Sequence, residues 1–307
     1  MRLHLFENKK TLIVFFGLAM GLILGSAATA SAKSSELERL WSASRSDEYR
    51  APTPEALAET ERLFRRALAG ETGNALAADW AALGYKMEQV TDWNQVFTVV
   101  HEQPDQCWGR GFYVFAALPA GHPVLQAPHS FHDLHTGAIA LRLFGQGRFA
   151  AGAWNTVRRS YQNRDGEKVN ADMAHAPESP FIAFSRAVAF VRPASAILQL
   201  HGFKAEERKT QTGRAAGAII SAGQRQPTAA AERTARCLDA LFTEPVLLYP
   251  IQVEELGGVT NAIGQTLRAL GSNAFVHIEL AQPLREQLRD NEALQGSFGD
   301  CLAGVWP

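Results

Sequence analysis

From residue 96 onward, short apolar runs alternate with stretches in which apolar residues recur at helical spacing. The runs are rich in β-branched and aromatic residues and are too short for buried helices, so we interpret them as strands. Strands that alternate with helices predict an α/β fold, in which helices cover a mostly parallel sheet. We therefore expect a three-layer α/β/α sandwich with a mostly parallel or mixed sheet, preceded by an N-terminal helical segment.

The predicted elements can be placed along the chain. The predicted strands are residues 96–100, 112–118, 124–127, 148–154, 196–202, 217–221, 246–253 and 274–280. The predicted helices after residue 96 are residues 134–144, 181–191, 227–242, 262–270 and a last helix from about residue 283. A turn cluster at residues 119–123 indicates that the strands on either side of it could form a hairpin. Residues 33–95 are predicted to be helical, and Thr53 followed by Pro54 is typical of a helix N-terminus.

Residues 1–32 have the pattern of a secretory signal peptide. Lys9 and Lys10 precede an apolar run at residues 11–24, and small residues at 28–32 offer a cleavage site. The apolar run is short for a membrane span, which needs about 20 residues, so an uncleaved N-terminal anchor is the weaker alternative. We expect a periplasmic or secreted protein with no stable membrane span after cleavage.

Composition and charge limit the class of protein to which the chain can belong. The whole chain has 307 residues, 46% of them hydrophobic and 20% charged, which is enough to bury a sizeable core. The formal net charge is −1 and no basic block is present, so we expect no nucleic-acid partner. We interpret residues 33–95 as a helical layer and residues 96–307 as the catalytic domain.

Three cysteines, Cys107, Cys237 and Cys301, occur in the chain. In an oxidising compartment one pair could form a disulfide and leave the third thiol free. No CxxC motif is present, so a zinc site built from cysteines is not supported.

A segment dense in metal-ligand residue types follows the predicted strand 124–127. His129, His132 and Asp133 lie within five positions and directly precede a predicted helix. A neutral imidazole at His129 can bind zinc, and either His132 or Asp133 could be the second ligand. Asp133 could instead cap the helix predicted to begin at Leu134.

Two later strands end in residues that could complete such a site. His201 follows an apolar strand and precedes Gly202, and as a third ligand it would leave a fourth position for water. Glu279 lies in an otherwise apolar strand, where a buried carboxylate is costly without a partner. We interpret Glu279 as a general base that takes a proton from the attacking water and passes it to the leaving amine. His277 points to the same face and is a weaker candidate.

Substrate binding is assigned to cationic and polar residues near these strands. Arg158, beside Arg159, and His175, in the sequence Asp172-Met-Ala-His175, are candidates because an arginine is the natural clamp for a carboxylate. Arg285 is a further candidate, or it could form a structural salt bridge with Glu279.

With these residues in view, residues 96–294 resemble the zinc-dependent exopeptidase-like hydrolases. This group includes zinc carboxypeptidases, N-formylglutamate amidohydrolases, poly-γ-glutamate hydrolases and N-acetylmuramoyl-L-alanine amidases. The resemblance rests on three motifs in order: Ala127-Pro-His129-Ser, Leu198-Gln-Leu-His201-Gly and His277-Ile-Glu279-Leu. Their order along the chain is more persuasive than any one of them.

The resemblance implies a phosphorylase/hydrolase-like sandwich, zinc as cofactor, His129, Asp133 and His201 as its ligands, and Glu279 as the base. The carboxypeptidase-type pattern has a glutamate three residues after the first histidine, where this chain has His132.

The leading hypothesis is a secreted zinc-dependent amidohydrolase or peptidase. It would cleave an amide bond in a small N-acylated amino acid or cell-wall peptide. The alternative is a non-catalytic envelope protein that keeps the hydrolase fold and binds a metal or another ligand. A serine hydrolase using Ser130 or Ser221 is weak because neither serine lies in a GxSxG motif.

Overall fold

The structure is a computed structural model that describes residues 35–304, and a mixed sheet of nine strands runs through this part of the chain. The nine strands of this sheet are β1 (Tyr85–Asp92), β2 (Gln95–Glu102), β3 (Phe112–Ala116), β4 (Val124–Ala127), β5 (Ala151–Trp154), β8 (Ile197–Phe203), β9 (Ala218–Ser221), β10 (Val246–Leu248) and β11 (Phe275–Ala281). A separate two-stranded sheet is formed by β6 (Ser160–Gln162) and β7 (Lys168–Asn170). The predicted signal peptide, residues 1–32, lies outside the described residues.

The α-helices of the described residues are α1 (Glu36–Ala43), α2 (Pro54–Leu68), α3 (Asn74–Ala82), α4 (Thr136–Gly145), α5 (Pro180–Val191), α6 (Gln211–Ala215), α7 (Ala229–Leu241), α8 (Ala262–Ala269), α9 (Gln282–Asp290) and α10 (Glu292–Gly304). Thr53 caps α2 by accepting a hydrogen bond from the backbone N–H of Ala56, with proline at the start of the helix. None of the helices between residues 35 and 304 has the length and apolar character needed to cross a membrane.

The central strands of the large sheet are parallel. Its order is β1-β2-β3-β5-β4-β8-β11-β9-β10, and β5, β4, β8 and β11 pair parallel with one another in turn. Strands β1, β2, β3 and β5 pair antiparallel in succession, as do β11 and β9. The carboxyl ends of the four parallel strands therefore meet at one edge of the sheet.

Three hydrophobic clusters lie against the large sheet, and the two larger ones cover opposite faces of it, so that neighbouring strand residues belong to different clusters. Val99 contributes to one cluster and Val100 to the other, and Leu198 and Ile197 divide in the same way. The first cluster includes side chains of α1, α4, α7, α9 and α10, and the second includes those of α2, α3, α5 and α8. Because successive side chains of a strand point to opposite faces, helices cover both sides of the sheet. The predicted α/β sandwich with a mixed sheet is confirmed.

The predicted hairpin between residues 112–118 and 124–127 is wrong. In the structure β5 lies between these strands, paired antiparallel with β3 and parallel with β4. All four residues of β4 are buried, and a strand covered on both faces fits the interior of a parallel sheet better than a hairpin. Residues 119–123 therefore connect two strands that are not neighbours, because β5 lies between them in the sheet.

The prediction of helix up to residue 95 is also wrong in its last part. The helical segment ends with α3, and the chain then forms β1 and β2, which pair antiparallel. The two connecting residues, Trp93 and Asn94, both have positive φ, 44° and 59°, the combination found in type I′ turns. The pairing of β1 with β2 through this turn therefore outweighs any tendency of residues 85–95 to form a helix.

A disulfide joins two of the helices that cover one side of the sheet. Cys237 of α7 is bonded to Cys301 of α10, and Cys107 is free. We predict that replacing Cys301 with serine lowers the free energy of unfolding by about 2–4 kcal/mol, because a cross-link that closes a long loop restricts the unfolded chain. Urea denaturation of the oxidised proteins measures the difference.

Cys107→Ser is the matched control, since this thiol forms no cross-link, and we expect a change within about 0.5 kcal/mol. Equal unfolding midpoints for Cys301→Ser and the oxidised parent protein would contradict the prediction.

Candidate metal centre

The segment after β4 brings two side chains back toward each other. The carbonyl oxygen of His129 accepts the backbone N–H groups of His132 and Asp133, which closes a tight turn. Asp133 turns its side chain toward His129, and its Oδ2 also accepts the backbone N–H of Gly202 at 3.0 Å. The alternative role of Asp133 as a helix cap is not seen, because α4 begins only at Thr136 and follows His135.

Three ligand-type atoms face one another at the carboxyl edge of the sheet. Nδ1 of His129 lies 3.1 Å from Nδ1 of His201 and 3.3 Å from Oδ2 of Asp133, and the last two atoms are 3.6 Å apart. All three side chains are buried. In a tetrahedral zinc site with bonds of about 2.0–2.1 Å, neighbouring ligand atoms are about 3.3 Å apart. The three protein atoms are thus spaced like three corners of such a tetrahedron.

The other nitrogen of each imidazole contacts an oxygen. Nε2 of His129 lies 2.9 Å from Oδ1 of Asp172, and Nε2 of His201 lies 2.8 Å from the side-chain oxygen of Gln199. When both rings are neutral, each donates its single N–H to that oxygen and directs the lone pair of its Nδ1 toward Asp133. Two imidazole lone pairs and a carboxylate oxygen then share one buried space. This arrangement requires a positive charge at its centre, and it is the usual arrangement around metal-bound histidines.

The electrostatics of the protein groups point the same way. Burial alone would lower the pKa of His129, but hydrogen bonds with Asp133 and Asp172 raise it to about 9. Burial would raise the pKa values of both carboxyl groups, yet the same hydrogen bonds hold them well below the ordinary range. Burial and the neighbouring His129 lower the pKa of His201 to about 4. Among the protein groups alone, a proton on His129 therefore supplies the positive charge.

Glu279 and His277 of β11 lie beside this group. Glu279 is the register partner of His201, and both β11 side chains are buried. Burial, together with the charge of Asp133, raises the pKa of Glu279 to about 8. Nε2 of His277 lies 3.7 Å from a carboxylate oxygen of Glu279, and burial lowers the pKa of His277 well below its ordinary value. Ligand atoms of His201, His277 and Glu279 lie within 4.8 Å of one another.

A cleft of about 300 Å³ opens above these residues. Arg159 and His175 line it, and both pair with Oδ2 of Asp172, at 2.7 Å from Nε and 3.0 Å from Nδ1 respectively. Asp172 therefore links Arg159 and His175 of the cleft to His129. His175 was predicted to bind substrate and lies in the cleft. Arg158, the predicted arginine, is exposed and does not line the cleft, whereas its neighbour Arg159 does.

The structure separates the two alternatives for the second ligand. His132 is exposed, its ring centroid lies 6.4 Å from that of His129, and it is not part of the ligand group. Asp133 contributes an atom to that group. The geometry therefore favours Asp133.

Some cleft and supporting residues were not singled out as candidates in the sequence. Asp172, three residues before His175, and Arg159, next to Arg158, belong to the two motifs named in the sequence, but neither was assigned a role of its own. Asn261 lines the cleft and Gln199 contacts His201. Gln199 stands between two leucines with no sequence signal, and the position of Asn261 before the predicted helix 262–270 indicates a helix cap rather than a cleft residue.

Arg285 was predicted to contact substrate, but the structure places it elsewhere. Its side chain is buried, does not line the cleft, and donates to the carbonyl oxygens of Leu134 at 2.7 Å and Phe203 at 3.2 Å. A Cβ at Gly202 would lie 2.3 Å from Arg285 Nη1, so a larger residue there would displace the guanidinium group. Arg285 thus joins the segment after β4 to the end of β8, the two segments that carry His129 and His201.

Comparisons with known proteins add little to this geometry. No protein-family model matches the chain, and no curated protein matches its sequence. One solved structure that matches is described as that of a "putative carboxypeptidase" from Burkholderia mallei ATCC 23344. It is 12% identical, the match covers 72% of this chain and 74% of that chain, and the TM-score is 0.37. The site is therefore assigned from its own residues.

We predict that Arg285→Met lowers the free energy of unfolding by about 2–4 kcal/mol, because it leaves a buried carbonyl group of Phe203 and a partly buried one of Leu134 without their charged donor. Chemical denaturation of the variant and the parent protein measures this change. Arg289→Met, on the exposed side of the same helix, is the control and should change stability by no more than about 0.5 kcal/mol. Equal losses in the two variants would show that the Arg285 bridge does not hold the segments together.

Proposed function

We propose that this chain is a zinc-dependent hydrolase that cleaves an amide bond in a small substrate bearing a carboxylate, such as an N-acylated amino acid or a cell-wall peptide. The observation that carries the proposal is the convergence of three acceptor atoms, from His129, Asp133 and His201, at 3.1–3.6 Å from one another in a buried space.

The donor set fits zinc in particular. Two imidazole nitrogens and one carboxylate oxygen suit zinc better than magnesium or calcium, which prefer oxygen ligands alone. Three protein ligands with an open side are typical of catalytic zinc sites, whereas structural sites use four. All three residues line the cleft. When bound, zinc would supply a Lewis acid that polarises a carbonyl group and lowers the pKa of water.

Glu279 is the candidate for moving protons at this site. It lines the cleft next to His201 in the sheet, and burial raises its pKa to about 8. A carboxyl group that titrates near neutral pH can accept a proton from the attacking water and return it to the leaving amine. The neighbouring His277 stays neutral because burial lowers its pKa.

The cleft supports the choice of a small anionic substrate. Its volume of about 300 Å³ lies at the lower end of the range for small-molecule sites. Arg159 presents a guanidinium group to the cleft, and its Nε is held by Asp172. A fixed guanidinium pairs well with a carboxylate, and it would place the scissile amide toward His129. The predicted signal peptide favours a substrate of the cell envelope.

We predict that the purified mature protein binds one zinc ion per chain and that His129→Ala and His201→Ala lose it, because each variant removes a ligand atom. Metal analysis by mass spectrometry after exhaustive dialysis measures the stoichiometry. His132→Ala is the matched control. It removes an exposed histidine three residues from His129 and should retain the metal.

Equal zinc content in all four folded proteins would overturn the proposed metal centre. Loss of zinc from His132→Ala but not from an Asp133→Asn variant would move the second ligand to His132. Stoichiometric zinc without turnover of any amide substrate would favour the alternative of a non-catalytic metal-binding protein.

We predict that Glu279→Gln retains zinc but lowers kcat by about 10²–10⁴-fold, the usual contribution of a general acid–base group. The measurement is amine release from a panel of N-acylated amino acids and muramyl peptides. Arg159→Met leaves the base in place and should mainly raise KM, by about 10–100-fold for a lost charge-assisted hydrogen bond. A Glu279→Gln enzyme with parental kcat would exclude the base role.

A further inference from the structure

A chain of buried amide side chains lies beneath His201. Gln199 of β8 and Gln126 of β4 are register partners on adjacent strands, and both are fully buried. The side-chain oxygen of Gln199 accepts hydrogen bonds from Nδ2 of Asn261 at 2.5 Å and from Nε2 of His201 at 2.8 Å. Amides in an apolar core are costly unless every group is paired. These amides are paired, and the direction of the pairing has a chemical consequence.

The direction is set at the N-terminus of α8. Asn261 is the residue before this helix, and its side-chain oxygen accepts the backbone N–H groups of Ile263 at 3.0 Å and Gly264 at 3.1 Å. These groups can only donate, so the oxygen of Asn261 must face the helix. The amide nitrogen of Asn261 therefore faces Gln199, and Gln199 must present its oxygen in return.

The same oxygen then determines the protonation of His201. A carbonyl oxygen only accepts, so the nitrogen of His201 that faces Gln199, Nε2, must carry the hydrogen. In a neutral ring this leaves the lone pair on Nδ1, the atom that faces His129 and Asp133. The helix N-terminus thus selects, through two amides, the ring nitrogen that can bind a cation.

At the other end of this row of amides, the last hydrogen-bond partner does not fix which way the amides point. Nε2 of Gln199 donates to the oxygen of Gln126 at 2.9 Å, and Nε2 of Gln126 donates to the hydroxyl of Ser185 at 3.0 Å. Ser185 donates in turn to the carbonyl oxygen of Phe181 at 2.7 Å. A hydroxyl can rotate and either donate or accept, so this end would adapt if both glutamine amides turned over.

We propose that Asn261 and Gln199 are positioning residues that hold His201 in the tautomer required for zinc binding at Nδ1. The inference rests on the proposed metal centre and extends it to two residues that do not contact the metal. It assigns the buried asparagine a role beyond capping α8.

The decisive variant is Asn261→Asp. Aspartate caps a helix as well as asparagine does, but it offers only acceptors to Gln199, so the Gln199 amide turns over and donates to both neighbours. His201 must then accept at Nε2 and carry its hydrogen on Nδ1. We expect zinc affinity to fall by about 10–100-fold, the usual effect of changing a residue that orients a metal ligand. A simple charge effect predicts the opposite, since the variant adds a negative charge near the cation.

Two changes at Gln199 test the same step independently. Gln199→Met removes the acceptor and should weaken zinc binding by a similar factor, whereas Gln199→Glu keeps an acceptor toward His201 and should restore affinity to within a few-fold of the parent protein. Gln126→Met is the matched control. It removes an equally buried amide from the next strand but leaves the oxygen of Gln199 on His201, so zinc affinity should not change.

Two measurements decide the outcome. Zinc affinity is obtained by competition with a chelator of known affinity, and the His201 tautomer by ¹⁵N NMR of the metal-free proteins, with the signals assigned by His201→Ala. The proposal requires hydrogen on Nε2 in the parent protein and on Nδ1 in Asn261→Asp. Zinc binding in Asn261→Asp as tight as in the parent protein, or equal losses in Gln199→Met and Gln126→Met, would overturn it.

If the parent protein binds no zinc, the proposed function fails, and the NMR comparison still decides whether Asn261 and Gln199 set the tautomer. An unchanged tautomer in folded Asn261→Asp would overturn this inference by itself.

Discussion

The Nδ1 atoms of two imidazoles and a carboxylate oxygen face one another in one buried space, and this crowding of ligand-type atoms is the constraint on which the rest of the site depends. Acceptors that face one another repel unless a positive charge lies between them. A proton on His129 can supply that charge, and so can a metal ion with three protein ligands. The surrounding residues do not relieve the crowding. Asp172 and Gln199 hold the two rings so that it persists.

The two rings are held by hydrogen bonds from different parts of the fold. Asp172 lies in the segment after β7 and pairs with His129, Arg159 and His175, so the wall of the cleft and the candidate ligand share one carboxylate. His201 is held from within the sheet through Gln199. Arg285 then ties together the backbone segments that carry the two histidines. A change at one of these supports therefore alters the spacing of atoms that it does not touch.

Much of the site could be predicted because parallel strands place their carboxyl ends at one edge. His129, His201 and Glu279 each follow or end an apolar strand, and that pattern alone predicts their grouping. Contacts that depend on side-chain direction could not be predicted. Whether Arg158 or Arg159 lines the cleft depends on the path of the segment between β5 and β6, and the burial of Arg285 depends on the carbonyl groups of distant segments. In the fold, the alternation of elements predicts the layers, but the insertion of β5 between β3 and β4 is a choice of pairing that local sequence does not record.

The register of β8 and β11 sets the relation between the proposed base and the candidate ligand. Glu279 is paired with His201 by the hydrogen bonds of the parallel ladder, and His277 is paired with Gln199. Because side chains alternate along a strand, a shift of one residue would turn Glu279 toward the opposite cluster of apolar side chains. Such a shift would bury a carboxyl group without a partner, so the polar residues of β11 themselves oppose it. His277 and Glu279 therefore line the cleft and also stabilise the observed register of β8 and β11.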